Sequence, residues 1–206
     1  MKKYIILTSA AVFLAACGVD TTGIKTDSSK IPKGNPNASV IVTEFSDFQC
    51  PACRVAYELV TKPLEQKYGD KVRFDLKQFP LPMHEYALQL AEASECAADQ
   101  GKFWEFVDKV FEEQLKMDQE KPPRAVSADD IDKWEKDLGL DNDLFTRCTA
   151  SHIKRKAVMA EFDEARAKNI EGTPTYLVND TVVKTDPAEL EKAIDAALQK
   201  QGGRAL

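Results

Sequence analysis

Val40-Ile41-Val42-Thr43-Glu44-Phe45-Ser46-Asp47-Phe48-Gln49-Cys50-Pro51-Ala52-Cys53 is the stretch from which the architecture can be read. Its apolar first half reads as a buried strand over 39–45, and its end opens a helix over 51–68 that Gly69 closes. Two cysteines with two residues between them at such a junction form a redox centre. The helix N-terminus offers partial positive charge and free amides, so a thiolate at Cys50 is stabilised there. Pro51 suits the first helical position, where its missing N–H costs nothing. Cys50, expected to be exposed, is the nucleophile; Cys53, one turn further in, resolves a mixed disulfide. The rival reading is zinc, but a structural zinc site needs a second close pair. Cys96 and Cys148 stand far apart with no local partner, so no metal and no cofactor is expected.

Outward from that junction the pattern alternates. Val72, Phe74 and Leu76 alternate with charged residues in a second strand over 71–79, after which Pro80 and Pro82 break the chain. A helical region over 84–168 follows, with Phe103, Val107, Val110 and Phe111 at helical spacing, as are Ile131, Trp134 and Leu138. Pro122-Pro123 marks a loop within it, and Ser127 with Asp130 can cap the next helix. These apolar stripes are core. Beyond Gly172, strands over 175–178 and 181–184 flank Asn179-Asp180, a two-residue hairpin turn. Pro187 starts a last helix with Leu190, Ile194, Ala197 and Leu198 on one face.

The chain's 206 residues, 43% hydrophobic and 30% charged, describe one globular domain with room for an insertion. Its net charge of −6 argues against nucleic-acid binding. The one basic run, Lys154-Arg155-Lys156, reads as a solvated helix face. Residues 1–16 differ: Lys2 and Lys3 precede an apolar run too short for a stable membrane anchor, as in a secretory signal. Leu14-Ala15-Ala16-Cys17 resembles the lipobox of bacterial lipoprotein precursors, which implies cleavage before Cys17 and a lipid on it. A plain signal peptide with an incidental cysteine is the alternative. Residues 17–37 are polar and aperiodic and read as a flexible tether. With Cys17 lipidated, four of the five cysteines remain in an exported, disulfide-permissive setting.

The segment Glu44 to Cys53, the later Gly172-Thr173-Pro174-Thr175 and the helical block between them resemble the DsbA-like thiol:disulfide oxidoreductases. The resemblance covers residues 36–200. It implies an α/β thioredoxin fold, βαβ…ββα, with an inserted all-helical subdomain. Residues 38–83 form the first part of that fold, 84–168 the helical insertion and 169–200 the remainder. Thr173-Pro174 resembles the cis-proline loop facing the dithiol in this family, an ordinary trans turn being the alternative. There Thr173 and Pro174, with Pro51 and Ala52, would contact an extended substrate peptide by strand addition. Glu44 matches the family's buried acid, able to relay protons to the resolving thiol, unless it is an exposed edge charge. Lys77 is a candidate partner for Glu44 on the next strand. Asp47 reads as a loop-structuring residue, and nothing ties His84 or His152 to the dithiol. Ala52 departs from the best-known oxidases, which carry histidine there, so a less extreme thiolate is expected.

Cys96 and Cys148 both project into the helical block, so a structural disulfide between them is favoured over two buried thiols acting as small hydrophobes. The function implied is disulfide donation to reduced or unfolded exported proteins. A membrane redox partner would reset the dithiol, and the protein would be a lipid-anchored monomer on the cell envelope. Reduction or isomerisation through the same dithiol, or peptide capture by a non-catalytic chaperone lipoprotein, are the other readings.

Overall fold

The computed structural model describes residues 19–202, so the apolar leader and Cys17 lie outside the described residues. The chain runs β1 (Lys33–Gly34), β2 (Ile41–Ser46), α1 (Pro51–Ala56), a π-helical turn (Tyr57–Thr61), α2 (Lys62–Tyr68) and β3 (Arg73–Gln78). A helical block follows: α3 (Ala87–Asp99), α4 (Phe103–Gln119), α5 (Ala128–Asp137), α6 (Asn142–Ser151) and α7 (Arg155–Ala167). β4 (Thr175–Val178), β5 (Thr181–Val183) and α8 (Pro187–Gly202) complete it. The five strands form one sheet in the order β1-β3-β2-β4-β5, with β2 and β3 parallel and the remaining pairs antiparallel. This is the thioredoxin fold with its inserted helices. No helix among the described residues is long and apolar enough to cross a membrane.

Each face of the sheet is covered. Val42, Phe74, Tyr176 and Val178 pack with Val60 and Leu64 and with Leu190 and Ile194 of α8. Phe45, Phe79 and Leu177 meet Ala165 of α7 on the other side. The largest cluster lies in the helical block, where Phe106, Phe111, Trp134 and Phe145 join Phe48, Cys50 and Cys53. The dithiol therefore sits where block and sheet meet. Cys96 of α3 and Cys148 of α6 are bonded, S–S 2.00 Å. Asn179 and Asp180 both have positive φ, 47° and 65°, as a type I′ turn between paired strands requires. Ser127 N donates to Asp130 Oδ2 at 2.8 Å ahead of α5, so the short capping signal is used.

Four sequence expectations need correction. The helix over 51–68 is not uniform: it widens into the π turn just ahead of Pro63. Proline has no N–H to give the carbonyl four residues back and crowds it, and a widened turn relieves both. The stretch 17–37, expected to be a tether, is fastened to the body through its described part. Lys30 Nζ lies 3.0 Å from Glu95 and 2.5 Å from Glu161, and Trp104 Nε1 donates to the Ile31 carbonyl at 2.7 Å. Lys33 and Gly34 add β1 to the sheet edge, where Gly34 has φ 75° and a Cβ would strike the Val72 carbonyl. Lys30 and Lys33 thus pair with acids of the folded body instead of belonging to a free spacer. Lys154, read as solvated, is fully buried, donating to Asp99 at 2.7 Å and to the Asp27 carbonyl at 2.9 Å. Lys77 does not reach Glu44. The parallel register sets Glu44 beside Leu76, while Lys77 turns to the other face and bonds Glu164 at 2.6 Å.

Candidate active site

The end of β2 and the start of α1 place the two thiols. Cys50 is the N-cap residue, in extended conformation, with Pro51 opening the helix. The Cys53 and Arg54 amides both donate to the Cys50 carbonyl, at 3.1 and 3.3 Å, which folds the first turn. Both cysteines are free, and both are buried: Cys50 is 7% exposed and Cys53 0%. The expectation of an exposed Cys50 therefore needs correction. Its sulfur lies under the Thr173-Pro174 loop, with Cys50 Sγ 3.6 Å from the Thr173 carbonyl oxygen. The Thr173-Pro174 peptide is cis. Pro51 and Ala52 remain exposed beside the sulfur.

The loop before the dithiol is held from three sides. Asp47, fully buried, accepts from Gln49 N, from Leu81 N and from His84 Nδ1, at 2.7, 2.7 and 2.8 Å. Its own amide donates to Cys53 Sγ at 3.5 Å. Gln49 Oε1 accepts from Tyr86 N. From α4, Gln114 Nε2 donates to the Phe48 carbonyl at 2.6 Å, and Arg54 ties Gln114 to Asp118. Phe48 packs on Phe111 at 5.4 Å between ring centres. His84, which sequence spacing leaves unassigned, thus supports the loop through Asp47.

The two thiols are electrostatically unequal. Cys50 is lowered to about 5. The Cys53 thiol hydrogen-bonding to it is the largest lowering influence, followed by Thr173 and the backbone amides of Cys53 and Ala52. Those amides are the helix N-terminal contribution, present but second to the neighbouring thiol. Cys53 is pushed far up, first by burial, then by Cys50 and by the charge of Glu44. One sulfur is a thiolate at neutral pH and the other a thiol.

Glu44 lies beneath this pair, 3% exposed. Its Oε2 accepts from Thr61 Oγ1 at 2.7 Å, and Thr61 Oγ1 is also 2.7 Å from the Tyr176 hydroxyl. Burial raises Glu44 to about 7, against the lowering effect of the Thr61, Ser46 and Tyr176 hydroxyls. Sequence reasoning missed Thr61 and Tyr176. Thr61 is delivered by the π turn, for which Pro63 is the only local signal. Tyr176 follows from register alone, because β4 sets it opposite Glu44.

Fold and site together define a thioredoxin-fold protein with a Cys50–Cys53 pair beneath a cis-proline loop. The thioredoxin family model matches residues 26–196. A probable disulfide bond formation protein D of Bacillus anthracis is 31% identical over 170 residues, covering 81% of this chain and 77% of that protein. The crystal structure of oxidised BdbD from Bacillus subtilis superposes with a TM-score of 0.73 at 26% identity, covering 83% of this chain and 94% of that one. A Na(+)/H(+) antiporter NhaA 3 of Salinispora tropica is 32% identical over 180 residues, and the chain spans 26% of its length. The chain belongs to the thioredoxin family, among the DsbA-like thiol:disulfide oxidoreductases.

Proposed function

We propose that this protein is an extracytoplasmic thiol:disulfide oxidoreductase that donates the Cys50–Cys53 disulfide to reduced exported proteins. The observation that carries the reading is the pair of opposed thiols, Cys50 near 5 and Cys53 far above its ordinary value. A low-pKa first sulfur is a good leaving group and makes the reduced form favourable, which is the property of a disulfide donor. A substrate thiolate attacks Cys50 Sγ, the Cys50–Cys53 bond breaks, and its electron pair goes to Cys53. Glu44, half protonated near neutral pH, supplies the proton that makes Cys53 a thiol. A second substrate thiolate then attacks the substrate sulfur of the mixed disulfide, forming the substrate disulfide and releasing Cys50 as a thiolate.

Recognition in this reading uses the Thr173 backbone, whose carbonyl lies beside Cys50 Sγ and which pairs with an extended substrate peptide. Pro51 and Ala52, exposed at the helix mouth, form the other wall. A membrane partner returns the dithiol to the disulfide. Cys17 carries the lipid that holds the monomer to the envelope, so Cys17→Ser should leave the redox chemistry intact and move the mature protein to the soluble fraction. The main test is oxidation of a reduced, unfolded model protein by the oxidised chain, with Cys50→Ser as control. Stoichiometric disulfide transfer supports the reading. Insulin reduction without transfer would make the chain a reductase, and neither activity would leave peptide capture.

A further inference from the structure

Between the dithiol helix and α4 lies an open cleft of about 310 Å³, walled by Gln49, Arg54, Asp118 and Ala125 among others. That volume is at the small end for a ligand pocket and suits one long side chain. Gln49 precedes Cys50 and Arg54 follows Cys53, so the cleft adjoins the loop and helix that carry the reacting sulfur. The two guanidinium groups in its wall are engaged within the protein. Arg54, 8% exposed, meets both oxygens of Asp118 through Nη2, at 2.8 and 2.6 Å, and reaches Gln114 through Nη1. Arg124 is held by Asp130 at 2.8 Å and by Glu120 at 3.1 Å. What is left for an incoming group is acceptors. The Asp118 side chain is 46% exposed, and a carboxylate has about four acceptor positions. Asp118 also stands in the last turn of α4, where the carbonyls of a helix end carry partial negative charge. The rest of the wall is apolar, from Met117, Pro123, Ala125 and Val126.

We propose that this cleft takes a basic side chain, lysine or arginine, placed near the reacting cysteine of a substrate, and that Asp118 sets the preference. The inference rests on the disulfide exchange proposed above and names the substrates it favours. The aliphatic stem lies along the apolar wall and the cationic head meets Asp118, the division such side chains make at any polar edge. An acidic side chain finds no free guanidinium there, and an apolar one takes water from the carboxylate without replacing its hydrogen bonds. In the mixed disulfide the substrate cysteine is bonded to Cys50 Sγ. A residue one to three places along an extended peptide then stands roughly 3–10 Å away. That reach brings the neighbours of the cysteine to Gln49 and the mouth of the cleft. The chain's net charge of −6 draws basic peptides in general, whereas the cleft distinguishes where in the peptide the basic residue stands.

The test uses the oxidised protein and reduced peptides that hold one cysteine and one arginine, with the arginine at each of three places on either side. The same peptides with citrulline for arginine are the reference. Each rate is divided by that peptide's rate with oxidised glutathione, which removes the effect of arginine on the peptide's own thiol. At one or two adjacent places arginine should speed opening of the Cys50–Cys53 disulfide about fivefold over citrulline, the effect of one partly exposed ion pair. That ratio should fall below about twofold in Asp118→Asn and also in Ala125→Leu, which fills the cleft at an exposed position without altering charge. An equal advantage at all places, which is the field of the whole chain, overturns the inference, and so does a ratio that survives either substitution. Peptides with serine for cysteine separate this inference from the proposed function. If no peptide opens the disulfide, the proposed function fails. The arginine–serine peptide at millimolar concentration should then still shift the Ala125 and Val126 amide resonances of the wild type and not those of Asp118→Asn, and no shift overturns the inference as well.

Discussion

Replacing Glu44 by glutamine reverses its effect on stability between acid and alkaline pH. The carboxyl stands at about 7 in the folded protein against an ordinary 4.5, and burial is the cause. The sign follows from proton counting. Between these values the folded chain holds a proton that the unfolded chain has lost, so stability falls as pH rises through the interval. The displacement corresponds to about 3 kcal/mol, fully felt above pH 8 and absent below pH 4. Glutamine cannot ionise, and its carbonyl can still accept from Thr61, but its amide group lacks a sure partner, a pH-independent cost of about 1 kcal/mol. Glu44→Gln should therefore be about 1 kcal/mol less stable than wild type at pH 4 and about 2 kcal/mol more stable at pH 8, by the difference of these two effects. Urea unfolding of the oxidised protein measures this cleanly. Neither active-site cysteine titrates there, and burial, Thr61, Ser46, Tyr176 and Glu65, which set the Glu44 value, all remain. A stability difference that stays constant from pH 4 to 8, or that turns against the variant as pH rises, refutes the assignment of a neutral buried carboxyl.

Three further outcomes are expected. Iodoacetamide should modify reduced Cys50 with a midpoint near pH 5 and leave Cys53 untouched until the protein unfolds, so equal or earlier labelling of Cys53 would reverse the assignment. Ala52→His should raise the reduction potential by about 30 mV if a partly charged imidazole beside Cys50 contributes about 1.4 kcal/mol to the thiolate. Thr173→Val should act in the opposite direction, because Thr173 helps hold Cys50 down, and glutathione equilibria of both variants decide the point. Replacing Cys96 and Cys148 together by alanine should cost about 4 kcal/mol of unfolding free energy on the chain-entropy model for a bridge of this span. A loss below 1 kcal/mol would mean that the helical block is held without it.

The dithiol, its helix and the Gly-Thr-Pro loop were legible because each is a short-range pattern whose chemistry depends on spacing alone. The hairpin at Asn179-Asp180 was legible for the same reason: both residues tolerate positive φ, and the apolar runs on either side fix the pairing. What escaped depended on distance. β1 has two residues and no period to detect. Lys30 looks like any polar linker residue until Glu95 and Glu161 are brought to it across the fold. Lys77 and Glu44 were plausible partners on adjacent strands, but the pleat puts them on opposite faces, and no composition argument reveals a register. The basic run at Lys154 misled in a similar way, since burial of its first lysine depends on Asp99 of another helix.

Pro63 shows how a local signal becomes a property of the site. Between two stretches of good helix its effect is to widen the turn over Tyr57–Thr61. The turn carries Thr61 onto Glu44 Oε2 at 2.7 Å and leaves Glu65 one helical turn further along. A straight helix would present a different set of side chains to β2. The hydroxyl of Thr61 occupies one oxygen of Glu44 and the other has no partner among the described residues, so the acid is held in place without an ion pair and keeps its high proton affinity. A lysine in the position of Leu76, beside Glu44 in the register, would hold that carboxyl charged and end its use as a proton donor. The redox centre thus depends on a proline ten residues beyond its second cysteine, through the shape of one turn.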